Sequence, residues 1–473
     1  MHPETQPSVE ERIRRVEANL LLDPKPWQPA AEPTLPERMR YHNVPGLSVA
    51  VINEGRIEWA RAYGVLEAGK PEPVEAGTLF QAGSISKAVT AAAALRLVGR
   101  GLLALDEDVN RFLTSWRVPP NDGWQPRVTL RQLLSHTAGT TVHGFPGYPR
   151  DGEVPTLLQV LEGRPPANTP PVRVSALPGT QWRYSGGGTT IVQQLLIDVT
   201  GQSFPDLMRE LVLEPAGMES STFEQLLPER LWASATTGHY WVKNDPVRGK
   251  WHVYPEMAAA GLWTTATDLA RFALAIQSSR AASPSALLSP EITAQMLSPH
   301  VDPDRGLGLF LSGSGDTFRF GHSGQDHGFE ATLDAYSERG LGAAIMTNAY
   351  AGERLYQELR AAIAREYAWP GFLPPEHEAI PLDPTAFGPF MGEYEPGLAG
   401  GESLPWIVAR EGDALTLQVP GQDPVAPYPK SETAFFIEAV DASISFERGE
   451  SGRITRLVFH QNDSTITATR LEQ

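Results

Sequence analysis

Ser84 and Lys87 stand three residues apart in the segment from Phe80 to Leu95, and a serine beside an amine is a pair that can do nucleophilic chemistry. That spacing puts both on one face of a helix. The lysine is unusual in this chain. Only six of the 39 basic residues are lysine, and this one lies in an alanine-rich run with little else polar to shield it. Lysine, unlike arginine, can give up its proton when buried. Ser84 would begin the helix, where the backbone dipole favours a developing oxyanion. Alone, a Ser-x-x-Lys match is weak, since a chain of this size should contain on the order of one by chance. The competing reading is a helix N-terminal serine with a solvated lysine.

Two later clusters add chemistry. Trp182-Arg183-Tyr184-Ser185-Gly186-Gly187-Gly188 places Tyr184 before a glycine-rich turn that feeds a helix. A tyrosine held rigidly between a nucleophile and a cation can relay a proton; otherwise it is a buried aromatic beside a turn. Phe320-Gly321-His322-Ser323-Gly324-Gln325-Asp326-His327-Gly328 offers small residues along which a substrate backbone can lie, with the Gln325 N–H as an oxyanion donor. A plain turn or a metal site are the alternatives, and metal is disfavoured because no His-x-x-x-His or acidic cluster accompanies the histidines. Neither Gly321-His322-Ser323-Gly324-Gln325 nor Tyr184-Ser185-Gly186-Gly187 has both glycines of a lipase-type nucleophile elbow, which argues against an α/β-hydrolase.

The elements that must hold these clusters are legible in outline. Val9 to Leu22 has amphipathic helical spacing, and a proline-rich stretch runs on to Pro36. Pro45 to Ile52 and Ile57 to Gly64 read as a hairpin turned at Asn53-Glu54-Gly55-Arg56. The helix from Ser84 should end near Gly101. Thr129 to His136 is a second helical run, Thr189 to Val199 a third with Gly201 as its stop. Between Gly144 and Leu177 the Pro and Gly content predicts a long irregular surface excursion near a site. Strands are expected around Gly306–Leu311, Thr332–Tyr336 and Gly342–Thr347. Beyond Pro375, short alternating segments (Trp406–Arg410, Ala414–Val419, Ala434–Ile437, Ile444–Phe446, Ile454–Phe459 and Ile466–Leu471) predict a small antiparallel barrel or sandwich. The expected domains are therefore 1–375 and 376–473.

Bulk composition narrows the function classes. The 473 residues are 41% hydrophobic and 20% charged, as in a globular protein of more than one domain. A net charge of −17 argues against nucleic acid as a partner, which needs clustered cations. The absence of Cys removes disulfides, thiol nucleophiles and zinc-thiolate sites. No apolar run is long enough to span a bilayer. The polar first seventeen residues lack a secretory apolar core, so a cytoplasmic location is expected, or an extracytoplasmic one if a leader has been removed.

Ser84-x-x-Lys87, Tyr184-Ser185-Gly186 and His322-Ser323-Gly324, in that order and spacing, resemble the serine β-lactamase and penicillin-binding-protein superfamily. The likeness is to its class C-like branch of D-aminopeptidases, D,D-carboxypeptidases and carboxylesterases. Leu133-Leu134-Ser135-His136-Thr137-Ala138-Gly139 and Ala260-Gly261-Leu262-Trp263-Thr264-Thr265, followed by Asp268-Leu269, are further landmarks of that branch. The resemblance implies an α+β fold, a β-lactamase/transpeptidase-like antiparallel sheet flanked by helices plus a helical region, with the site between them. It implies that Ser84 is acylated, that Lys87 is its partner amine and Tyr184 the proton relay, and that His322 stands where many relatives carry lysine. The Ser84 and Gln325 amides would form the oxyanion hole, with Ser323, Gly324 and Gly186 lining the substrate. No cofactor and no metal are implied. The carboxy-terminal region resembles the lipocalin-like β domain of some members and is a candidate surface for homo-oligomer contacts.

Two departures bear on substrate. Gly186 replaces the asparagine of the usual Tyr-x-Asn, and His322 is a weaker cation than lysine because imidazole titrates near neutrality. Both disfavour efficient β-lactam hydrolysis and tight recognition of a substrate carboxylate, and both leave acylation of Ser84 intact. The expected activity is hydrolysis of a small ester or a D-amino-acid-containing amide or peptide. The alternatives are a β-lactamase or penicillin-binding D,D-peptidase, and a non-catalytic binding or assembly protein on the same fold.

Overall fold

Strands β1 (Gly46–Asn53) and β2 (Arg56–Gly64) form the expected hairpin. Glu54 and Gly55 take φ of 52° and 71° at its tip, which is the tight turn that matches strand twist. They belong to a six-stranded antiparallel sheet completed by β3 (Phe310–Ser312), β4 (Arg319–Asp326), β5 (Phe329–Tyr336) and β6 (Gly342–Thr347), in the order β2-β1-β6-β5-β4-β3. The computed structural model describes residues 7–20, 33–121, 123–240, 244–284, 286–373, 379–380, 382–397, 404–420, 424–437, 442–461 and 464–471. The chain divides into two compact units between Pro370 and Gly371.

Leu47 to Ile52 is buried without a break, so β1 must be covered on both faces. Helix α1 (Val9–Ala18) is shorter than its amphipathic pattern predicts, and residues 21–22 of that pattern lie outside the described residues. Helix α2 (Ile85–Gly99) begins directly after Ser84, and its end is followed by Gly101 at φ 72°. Helices α3 (Gly186–Thr200), α4 (Met257–Ala260), α5 (Ala266–Arg280) and α6 (Gly352–Glu366) complete the frame. Helix α5 packs against β1, β5 and β6, and α6 against β5 and β6. Ala50, Ile52, Ala344 and Met346 share one apolar core with α2, α3 and α5.

Two expectations need correction. The stretch from Gly144 to Leu177 is not irregular throughout. Tyr148–Pro149 pairs with His252–Val253, Leu157–Glu162 is a helix capped by Thr156 and Gln159, and Val160, Leu161, Val172 and Val174 are buried. Its prolines and glycines hid short apolar elements. Likewise Gly186, Gly187 and Gly188 are not a turn ahead of a helix but the first turn of α3, with Ser185 as its cap (Gly188 N to Ser185 Oγ, 3.0 Å). A Cβ on Gly187 would lie 2.6 Å from the Thr141 carbonyl, so the glycine is needed for close packing.

The second unit is an eight-stranded antiparallel sheet that curls into a nearly closed, barrel-like form. Its interior holds Phe387, Phe390, Tyr394, Trp406, Phe435 and Phe446. Every alternating segment expected there is a strand, and Gly392–Pro396 and Tyr428–Pro429 add two more. Among the described residues, no helix is long and apolar enough to cross a membrane.

Candidate active site

Ser84 occupies the N-cap of α2, half-buried, and Lys87 one turn on is 4% exposed. Lys87 Nζ lies 2.8 Å from Ser84 Oγ and donates to the Ala259 carbonyl of α4 at 2.8 Å. One amine proton is thereby committed to the backbone, which aims the nitrogen at the serine. Tyr184 precedes α3, and its ring centroid is 5.0 Å from Lys87 Nζ. The ring is packed among His136 (4.5 Å), His143 (5.0 Å) and His322 (6.3 Å). Three segments distant in sequence thus bring Ser84, Lys87, Tyr184 and His322 together.

Strand β4 closes the site. β3 pairs with it from Arg319 to Gly321, and among the described residues no strand pairs with that edge from His322 onward. Gly324 backs onto the serine turn: a Cβ would be 1.8 Å from the Ala82 carbonyl and 3.0 Å from Ser84 N. A Cβ on Gly83, at φ 51°, would be 2.5 Å from Gln325 N. Only two glycines permit this approach, and it brings the Ser84 and Gln325 amides to one place. The side chains of Ser323 and Gln325 are exposed, and Gln325 Nε2 donates to Glu330 Oε1 at 2.5 Å, so at these positions the strand offers its backbone. Gly186 sits under the Phe145 ring, which would be 2.9 Å from any Cβ. A larger residue there would displace the loop carrying His143 and Phe145.

The charge expected of His322 is not there. The ring is buried, stacked on Phe310 (4.6 Å, 20°), and its Nδ1–H donates to the Ser323 carbonyl at 2.5 Å. Burial, with the nearby Lys87 side chain as a second cause, lowers it from 6.5 to about 3. It is therefore a neutral imidazole at pH 7, where sequence reasoning expected titration near neutrality. His136 is also buried and pushed well below the ordinary value by desolvation, with Lys87 next. Its Nδ1 accepts the Ser185 N–H at 3.3 Å, leaving the proton on Nε2. The stretch from Leu133 to Gly139 was noticed in the sequence without a role for His136, whose φ of 57° gives no sequence signal.

Arg305 was missed altogether, being one arginine among many. Its guanidinium lies 4.6 Å over Trp182 and 4.6 Å over Phe310, the neighbours of Tyr184 and His322. It has no carboxylate partner among the described residues, and Nε is buried without a hydrogen bond there. Its charge helps depress both His136 and His322. The positive charge that His322 lacks thus stands beside it. Among the described residues, no group of three or more His, Asp or Glu is placed to hold a metal ion.

This fold is that of the serine β-lactamase and penicillin-binding-protein superfamily, and the comparisons agree. The Beta-lactamase family profile matches residues 32–368, so the chain belongs to that family. Esterase EstB of Burkholderia gladioli is 32% identical over 206 residues, 41% of this chain and 51% of that protein. Penicillin-binding protein 4 of Amycolatopsis lactamdurans is 27% identical over 370 residues, 75% of this chain and 94% of that one. A D-aminopeptidase of Cereibacter sphaeroides is 29% identical over 37% of this chain and 33% of its own length. Among solved structures, the octameric penicillin-binding protein homologue from Pyrococcus abyssi has a TM-score of 0.60 at 20% identity, covering 92% of this chain and 98% of that one. The D-alanine carboxypeptidase AmpC from Burkholderia cenocepacia follows at 0.57 and 18%, covering 76% and 99%. These last two likenesses are of fold.

Proposed function

We propose that the protein is a metal-free serine hydrolase that forms an acyl-enzyme on Ser84, acting on a small ester or a D-amino-acid-containing amide or peptide. The observation that carries the reading is the 2.8 Å separation of Lys87 Nζ from Ser84 Oγ beside Tyr184. In this reading Ser84 Oγ attacks the carbonyl carbon as Lys87 accepts its proton. The oxyanion is received by the Ser84 and Gln325 amides. The proton passes through Tyr184 to the leaving oxygen or nitrogen, and water then releases the acid from Ser84. Burial of Lys87 and the convergence of the two amides support these roles.

Substrate preference follows from the cleft's ends. Gly186 and Phe145 offer no amide to a substrate side chain, which ranks β-lactams below esters and D-amides. Arg305 favours, within the amide branch, substrates ending in a carboxylate. Hydrolysis of p-nitrophenyl butyrate, D-alanine p-nitroanilide and nitrocefin under one set of conditions tests the ranking; fastest turnover of nitrocefin overturns it. A non-catalytic binding role on the same fold predicts no covalent adduct. Intact-mass analysis after a fluorophosphonate probe decides this, with an adduct on Ser84 expected.

A further inference from the structure

Ser86 is the second hydroxyl of the run Ser84-Ile85-Ser86-Lys87, and the chemistry described above does not use it. It is fully buried, so it does not meet a substrate. Its hydroxyl serves backbone on both sides. It donates to the Gly83 carbonyl at 2.6 Å and accepts the Leu262 N–H at 3.0 Å. The Ser86 N–H reaches the same Gly83 carbonyl at 3.0 Å. Thr90, one turn further along α2, makes a plainer bridge: its hydroxyl donates to the Ala258 carbonyl of α4 at 3.3 Å. Such a bond docks one helix on another. The Ser86 bond differs in the carbonyl it holds.

That carbonyl belongs to the peptide that carries the Ser84 N–H. The Gly83–Ser84 peptide is trans, and in a planar trans peptide the carbonyl and the N–H point to opposite sides. Fixing one end therefore aims the other. Gly83 needs the restraint, because it turns at a φ of 51° and a glycine has no side chain to limit its rotation. Leu262 anchors the turn twice, taking the Ala82 N–H on its own carbonyl at 2.9 Å and supporting the Gly83 carbonyl through Ser86.

We propose that Ser86 is a positioning residue of the oxyanion hole: by tying the Gly83 carbonyl to Leu262, its hydroxyl aims the Ser84 N–H beside the Gln325 N–H. The inference rests on the Ser84 acyl-enzyme reading. The two bonds also run head to tail, from the Leu262 N–H to the Ser86 hydroxyl and on to the Gly83 carbonyl, and each polarises the next. A polarised carbonyl makes its own peptide N–H a stronger donor, at the place where negative charge develops.

Inactivation by a fluorophosphonate, resolved into its saturating rate and its half-saturation concentration, tests this in the full chain. The oxyanion hole acts on the transition state, so Ser86→Ala should lower the saturating rate on the order of tenfold to a hundredfold, with half-saturation within about twofold. Ser86→Thr, which keeps the hydroxyl, should label at a rate near that of the parent. Thr90→Ala separates aiming from docking. It removes the other buried hydroxyl that bridges α2 to this part of the chain, and its rate should stay near that of the parent. If Ser86→Ala does not fold, Ser86→Cys, whose thiol is a weak donor, takes its place with the same expectation. A parent-like rate in the alanine or cysteine variant overturns the proposal. So does a threonine variant as slow as alanine, or a Thr90→Ala variant slowed as much as Ser86→Ala. A parent protein that never labels at Ser84 refutes the acyl-enzyme reading instead, and the two failures are told apart by the parent alone.

Discussion

Replacing His322 with glutamine should make the protein less sensitive to acid, and the size of the effect follows from the buried ring. Unfolded, this imidazole takes a proton near 6.5; folded, it resists until about 3. Between those values the unfolded chain binds a proton that the folded chain refuses, so stability falls as pH falls. At pH 7 the difference is small. At pH 5 it amounts to about 2 kcal/mol from this one residue. His136, also buried and depressed, contributes with the same sign, so the parent's own slope does not isolate His322. The difference between parent and His322→Gln does. The variant loses the Ser323 hydrogen bond and the stacking on Phe310, a cost that does not depend on pH. Urea unfolding of both proteins at pH 7 and pH 5 should therefore show the gap between them shift by about 2 kcal/mol in the variant's favour at pH 5. An unchanged gap would mean that folded His322 takes up its proton as readily as an unfolded one, and the neutral-imidazole reading would fail.

Other expectations concern the serine's surroundings. Lys87→Arg should reduce p-nitrophenyl ester turnover on the order of a thousandfold, because guanidinium does not surrender a proton; retained activity would refute the amine's role as base. Tyr184→Phe should slow the chemical step while thermal denaturation stays close to that of the parent, and an unfolded variant would make the tyrosine structural instead. Gly83→Ala places a methyl 2.5 Å from Gln325 N at a φ of 51°, so it should lower stability by about 2 kcal/mol and largely abolish fluorophosphonate labelling. A variant that labels normally would show that the two backbones do not need to meet so closely.

Much of the frame was readable in residue patterns. The hairpin at Asn53 to Arg56, the helix after Ser84 and the alternating strands beyond residue 405 follow from local periodicity and turn chemistry, which act over a few residues. The segment from Gly144 to Leu177 was misread because its elements are too short for periodicity to emerge from among prolines and glycines. Gly186 to Gly188 looked like a turn because glycine's low helix propensity outweighed, on paper, a packing need that lies across the fold at Thr141 and Phe145.

Residue types and order alone determined which groups stand together in this protein: a serine and a lysine one helical turn apart, then a tyrosine, then a histidine on a glycine-bearing strand. That much needs no coordinates, because chemical identity and helical spacing are local properties. Tertiary structure alone decided what state those groups are in. Whether His322 bears a charge depends on Phe310 above it and on water excluded from it, and neither is written within its own segment. The cation beside it is Arg305, indistinguishable in sequence from other arginines until Trp182 and Phe310 close around it. Burial and electrostatics sum over everything nearby in space, so protonation was the last property to become legible.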